Sequence, residues 1–206
     1  MDARHSVNLR IRHLRRKELP ADTVELARYL IGKFLVHDLA EGRVAGRIVE
    51  TEAYVVGDAA GHAFRGETPR NRSLFLERGH AYVYFIYGSC YCLNVSGESP
   101  GVGAGVLLRA LEPLVGIALM ERHRGTPRLR DLARGPGRLA QAMRVDRRED
   151  GVDLCGRGAL WLGQASAPDV RIGESVRIGL TREAHRTLRF YARGSPFVSG
   201  PKRLST

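Results

Sequence analysis

Residues 33–54 read KFLVHDLAEGRVAGRIVETEAY, and this stretch decides the fold. Two runs rich in β-branched and aromatic residues, Lys33 to Asp38 and Arg43 to Tyr54, flank a turn at Ala40-Glu41-Gly42. That is the pattern of an antiparallel hairpin. Side chains alternate across a strand, so Glu50, Glu52 and Tyr54 share one face of the second run, and Val49, Thr51 and Ala53 the other. Two like charges on one face are unfavourable unless arginine or water meets them. A carboxylate held in a partly dry cleft can have its pKa tuned for base work. A solvated strand face accounts for the same pattern.

Upstream, Pro20 and Asp22 open an amphipathic helix, DTVELARYLIG, with Asp22 as cap and Gly32 as stop. The basic stretch 1–19 carries Arg4, Arg10, Arg12, Arg15, Arg16 and Lys17. It is expected to be a mobile arm, either draped over a phosphate backbone or simply solvated, beside one domain spanning 20–206. Downstream, the polar stretch VVGDAAGHAFRGETPRNRS has no clear period, and such long loops in compact domains are usually functional or disordered. HAYVYFIYGSCYCLNVSG then reads as a strand pair turning near Gly88. GVLLRALEP reads as a strand, LVGIALMERHR and GRLAQAM as helices, and the last third as short strands and turns. The expected fold is a single α+β domain built round an antiparallel sheet.

At 206 residues the chain suits one well-cored domain, and no apolar run approaches the ~20 residues of a membrane span. Cys90, Cys92 and Cys155 form neither a disulfide framework nor a zinc pattern, and no HxxxH or HExxH pair occurs, so no metal site is expected. With no secretory signal in the opening residues, a cytoplasmic protein is expected. The net charge of +11 comes from 33 basic residues, of which only Lys17, Lys33 and Lys202 are lysine. A GC-rich genome explains the preference for arginine but not the excess of charge, which makes nucleic acid the first candidate partner. Tyr82, Tyr84, Phe85, Tyr87 and Tyr91 form the densest aromatic patch, either core or a platform on which bases stack. His62, Arg65, Arg70, Asn71 and Arg72 sit in the polar loop, where a lone histidine is more often structural than catalytic.

Taken in order, GRIVETEAY, His62, TPRNRSLF, AYVYFIYG, CLNV, GVLLRALEP, GPGRLAQA and RFYARGSPFVS resemble the alkyladenine (3-methyladenine, methylpurine) DNA glycosylase family. The resemblance runs from about Leu26 to Ser199 without large gaps. It implies a curved antiparallel sheet with surrounding helices and a protruding β-hairpin. It also implies a DNA-repair enzyme that flips alkylated or deaminated purines out of duplex DNA and hydrolyses the N-glycosidic bond, leaving an abasic site. By resemblance, Glu52 is the catalytic base and Arg109 helps to hold the water and the flipped backbone. Tyr54, His62 and Tyr84 wall the base pocket, Asn94 crowds the 2-amino group of normal guanine, and Tyr87 is the wedge that fills the vacated duplex. Arg70 and Arg138 contact phosphates.

No cofactor is expected, and the partner is double-stranded DNA carrying damaged purines. A monomer is expected, in a bacterial, nucleoid-associated setting. Glycosylases that nick the strand need an amine for a Schiff base. All three lysines lie outside these motifs, so a monofunctional enzyme without lyase activity is expected. The chain departs from the family at Ser89, where relatives carry a larger residue, at Arg134, and over Ser96 to Gly103, which bears on lesion preference. Two other readings remain open here. One is a catalytically silent nucleic-acid-binding protein on the same scaffold, which would be expected to lose Glu52. The other, from charge alone, is an arginine-rich ribosome-associated protein.

Overall fold

The computed structural model describes residues 10–86, 88–166 and 170–204. Nine strands among these residues form one open, curved antiparallel sheet: β1 (Arg12–His13), β2 (Phe34–Leu39), β3 (Gly42–Tyr54), β4 (Ala81–Ile86), β5 (Cys90–Ser96), β6 (Gly105–Val115), β7 (Leu160–Gln164), β8 (Ile172–Ser175) and β9 (Arg189–Ala192). The order is β1-β7-β2-β3-β6-β5-β4, with β9 pairing to β3 and β8 to β9. Helices α1 (Thr23–Leu30), α2 (Ile117–Arg124) and α3 (Pro136–Ala142) complete the α+β domain. None of the described helices is long and apolar enough to cross a membrane.

The hairpin read from 33–54 is present. Leu39 pairs with Gly42 across a two-residue turn, and β2 follows β3 back to Arg47. β3 then outruns β2. Its edge from Glu50 to Glu52 is taken by β9, while its other edge pairs with β6 from Ala45 to Tyr54. The alternation also holds. Val49 and Ala53 join the main apolar core, and the Thr51 hydroxyl donates to the Ala27 carbonyl at 2.9 Å, stitching α1 to the same face. Asp22 caps α1 by accepting from the amides of Val24 and Glu25 at 2.8 and 2.9 Å. The helix then buries Leu26, Ala27 and Leu30 completely. Burying such a leucine contributes about 1.5–3 kcal/mol.

Of the stretch 1–19, only residues 10–19 are described, and they pack on the domain. Arg12 and His13 pair with Gln164 and Gly163, and Leu14 and Leu19 are buried. The boundary expected at residue 19 therefore falls inside a packed segment. Apolar side chains at positions 14 and 19 override the charge that suggested a free arm.

The sheet's second face carries the site. Because β3, β6, β5 and β4 are all antiparallel neighbours, their registers set Glu52, Leu107, Asn94 and Tyr82 in one row. Tyr84 and Cys92 form the next pair on β4 and β5. The β4–β5 hairpin turns through Gly88, whose φ of 65° lies in the left-handed region that glycine enters at no steric cost.

Candidate active site

Across that row lies a cavity of about 310 Å³, a size within the range of small-molecule sites. Tyr54, His62, Tyr82, Tyr84, Asn94 and Arg109 all line it. On the far side stand Pro136 and Gly137, at the start of α3, and Ile178 and Gly179 from the loop after β8. A Cβ on Gly137 would meet the Cys90 Sγ at 2.8 Å, so only glycine lets α3 approach β5 this closely.

The walls are aromatic and uncharged at neutral pH. Tyr82 and Tyr84 stack with centroids 5.4 Å apart, and His62 meets Tyr84 edge-on at 4.4 Å. The His62 Nδ1 lies 2.9 Å from the Tyr82 hydroxyl. Burial, aided by nearby Arg70, holds the imidazole below its ordinary pKa. Burial also raises the Tyr82 hydroxyl to about 12 and the Cys92 thiol to about 11, and pushes Tyr54 and Tyr84 up further.

Formal charge is confined to the floor. Glu52 is fully buried and is not itself a lining residue; three groups that line the cavity hold it from above. Its Oε1 accepts the Ile178 amide at 2.8 Å and faces the Arg109 Nη1 at 3.2 Å, while its Oε2 accepts the Tyr54 hydroxyl at 3.0 Å. A carboxylate offers about four lone-pair positions. Ile178 and Tyr54 each take one by a hydrogen bond, and Arg109 faces Oε1 as an ion pair, so among the described residues Oε2 has one hydrogen-bond donor, Tyr54.

Sequence reasoning missed the residues that brace this floor. Arg177 is buried against Asp58, donates to the Ala53 carbonyl at 2.9 Å and lies 4.6 Å over the Tyr54 ring. It thereby joins the loop after β3 to the loop that delivers the Ile178 amide. Buried Arg189 and Ser199 converge on Glu50. Nothing local separates these arginines from the exposed ones. Asn71 had a readable signal in the Thr68-Pro69 turn before it. Its carboxamide accepts from Thr68 and donates to the carbonyls of His62 and Gly66 at 2.8 and 3.0 Å, which shapes the polar loop.

Glu52, Arg109, Tyr54, His62, Tyr84 and Asn94 are thus brought together. Asn94 donates from Nδ2 to the Tyr82 carbonyl at 3.3 Å. Arg70 is exposed beside His62, lines a neighbouring surface hollow with Arg65 and Arg182, and has no ion-pair partner among the described residues. Arg138 lies apart from the cavity lining and pairs with Asp131 at 3.2 Å, so a phosphate would have to compete for it. Tyr87 lies outside the described residues. Among those residues, no group of three or more His, Cys, Asp or Glu could hold a metal ion.

The sequence profile of the methylpurine-DNA glycosylase (MPG) family matches residues 17–196. A curated relative from Mesorhizobium japonicum is 69% identical over 189 residues, covering 92% of this chain and 91% of its own. One from Paraburkholderia phytofirmans is 58% identical over 191 residues, covering 93% and 90%. One from Methanoculleus marisnigri is 46% identical over 181 residues, covering 86% and 94%. All three carry the provisional name 3-methyladenine DNA glycosylase.

Proposed function

Because this chain belongs to the methylpurine-DNA glycosylase family and is a DNA-repair hydrolase, we propose that it excises alkylated and deaminated purines from duplex DNA by base flipping and water attack. The observation that carries this reading is the Glu52 carboxylate beneath an aromatic cavity, held by the Ile178 amide, the Tyr54 hydroxyl and the charge of Arg109, with Tyr54 the one donor recorded on Oε2 among the described residues.

A water at Oε2 gives its proton to Glu52 while its oxygen bonds to C1′ of the flipped nucleotide. The C1′–N9 bond breaks and its electron pair leaves with the purine. The developing oxocarbenium charge lies near the carboxylate, which stabilises it. A methylated, cationic purine departs neutral with no acid. A deaminated purine is neutral, so it leaves as an anion that takes a proton from solvent water and gives a hydroxide in exchange. Tyr84, Tyr54 and His62 present faces and edges to the base, and a cationic ring gains most from them. Asn94 crowds the 2-amino group of undamaged guanine, and Tyr87, between β4 and β5 in sequence, fills the gap in the duplex. Arg70, with no ion-pair partner among the described residues, and Arg138, once released from Asp131, meet phosphates.

None of Lys17, Lys33 and Lys202 lines the cavity, which supports a monofunctional hydrolase that leaves an intact abasic strand. The protein acts as a monomer.

The test is single-turnover base release from a duplex with one methylpurine, followed by alkaline cleavage. Glu52→Gln keeps the shape and should still bind lesion DNA, while release falls about 10²–10⁴-fold. Unchanged release would defeat the assignment.

A further inference from the structure

In the proposed reading Glu52 is the base, and one end of Arg109 supports it. The other end of Arg109 is committed elsewhere. Its Nε donates to the Glu50 Oε1 at 2.9 Å, and its Nη2 lies 3.4 Å from the Ser199 Oγ. The Arg189 Nε donates to the same Glu50 oxygen at 2.7 Å, and the Ser199 amide donates to its Oε2 at 2.6 Å. Glu50, Glu52 and Arg189 have no exposed side-chain surface, and Arg109 only 8%. Two carboxylates and two guanidiniums thus form a dry, charge-balanced group.

Such a group is a costly way to fill a core. Replacing a buried ion pair by apolar side chains of similar volume is often neutral or stabilising. Its position suggests what it does. The β3–β6 register shifts on both sides of Glu50: Val49 is the extra residue on β3 and Arg109 the extra residue on β6. Paired bulges of this kind re-aim side chains and recur beside active sites. Here they point Arg109 to the Glu50–Glu52 face while Leu108 and Ala110 enter the core.

We propose that Glu50 is a positioning residue for the excision reaction, with Arg189 as its countercharge. The inference rests on Glu52 being the base. A guanidinium fork left to itself pairs with a carboxylate through two nitrogens and occupies both oxygens. Glu50 holds the Nε, and the closest approach of Arg109 to Glu52 is from Nη1 to Oε1, at 3.2 Å. The Oε2 lone pair that receives the water's proton stays open. Glu50 and Arg189 also stand behind Arg109, so removing either charge changes the field around the Arg109–Glu52 pair. The other ionisable groups around Glu52 are Tyr54 on β3, Arg109 on β6, Arg177 with Asp58 from the flanking loops, and, lining the cavity, His62 from the polar loop with Tyr82, Tyr84, Cys90 and Cys92 on β4 and β5.

The experiment is the pH profile of single-turnover release of a methylpurine from duplex DNA. A cationic purine needs no acid, so the acid limb reports the base. Glu50→Gln removes one of the two negative charges of the group and leaves both guanidiniums. The limb should move about one pH unit lower, and the plateau should fall about tenfold through bidentate capture and weaker basicity, with lesion affinity within about twofold. Arg189→Gln should move the limb about one unit higher. The double variant restores the charge balance and should return the limb to within about 0.3 units of wild type. Each variant is checked for folding by its melting curve, and any one that folds decides the matter by its own shift.

Folded variants whose limbs stay put, or the two single variants shifting in the same direction, would overturn the proposal and leave a structural role only. Failure of the function itself looks different: Glu52→Gln would then release base as fast as wild type.

Discussion

The pair Asp58–Arg177 allows a sharp energetic test. Both side chains are fully buried, and the guanidinium also holds the Ala53 carbonyl and lies over the Tyr54 ring. Among the described residues its Nε has no hydrogen-bond partner, so these offer no spare acceptor at the site. Asp58→Ala would leave a desolvated cation without a counterion, which costs about 3–5 kcal/mol. For a chain of this size each kcal/mol moves the melting point by about 2–4 °C, so a fall of about 6–20 °C is expected in a thermal melt. Arg177→Met in the same background removes the stranded charge and should recover at least half of that loss. Base release, measured well below the melting point, should drop about tenfold, because Ile178 and Tyr54 lose the brace that aims them at Glu52. A loss under about 1 kcal/mol, with no recovery in the double variant, would refute the claim that this pair is dry and joins the two loops.

Other perturbations separate DNA contact, local stability and acid response. Arg70→Ala should weaken damaged and undamaged duplex alike and flatten log affinity against log salt by about 0.9, read by fluorescence anisotropy; an unchanged slope would remove Arg70 from the DNA-facing surface. Asp22→Ala should lower the melting point by about 2–4 °C through loss of the α1 cap, with release at room temperature unaltered. Burial raises the Glu50 pKa, but Arg109 and Arg189 outweigh it and hold the carboxyl below its ordinary value of 4.5. A depressed carboxyl contributes stability in full above its unfolded value and loses it as pH falls through the folded one. Melting temperatures should therefore decline below pH 4.5 in wild type, and less steeply in Glu50→Gln. Parallel curves for the two proteins would count against a depressed Glu50.

What could be read from the chain was local and periodic. The two-residue spacing of Glu50, Glu52 and Tyr54 told which side chains share a face, and Asp22 and Gly88 marked a cap and a turn through their own chemistry. What could not be read were facts that join distant segments. Arg109, Arg177 and Arg189 are buried, yet each stands among arginines that look identical in sequence, and burial depends on carboxylates far along the chain. The bulges at Val49 and Arg109 leave no compositional mark, because a bulge is a relation between two strands. The polar loop had no period because the Asn71 side chain, not a backbone ladder, organises it. Arg12 and His13 show the reverse case, where abundant charge concealed strand pairing.

The handover along one edge of β3, from β2 to β9, has a consequence for biosynthesis. Glu50 and Glu52 leave the ribosome long before Arg189 and Ser199, which complete their surroundings. The sheet therefore closes through contacts of very long sequence separation, the slow kind. A nascent or prematurely terminated chain that stops short of β9 carries Glu50 and Glu52 without Arg189 and Ser199. Incomplete products should be unable to strip bases from the chromosome, so that a genotoxic activity is licensed only in the finished molecule.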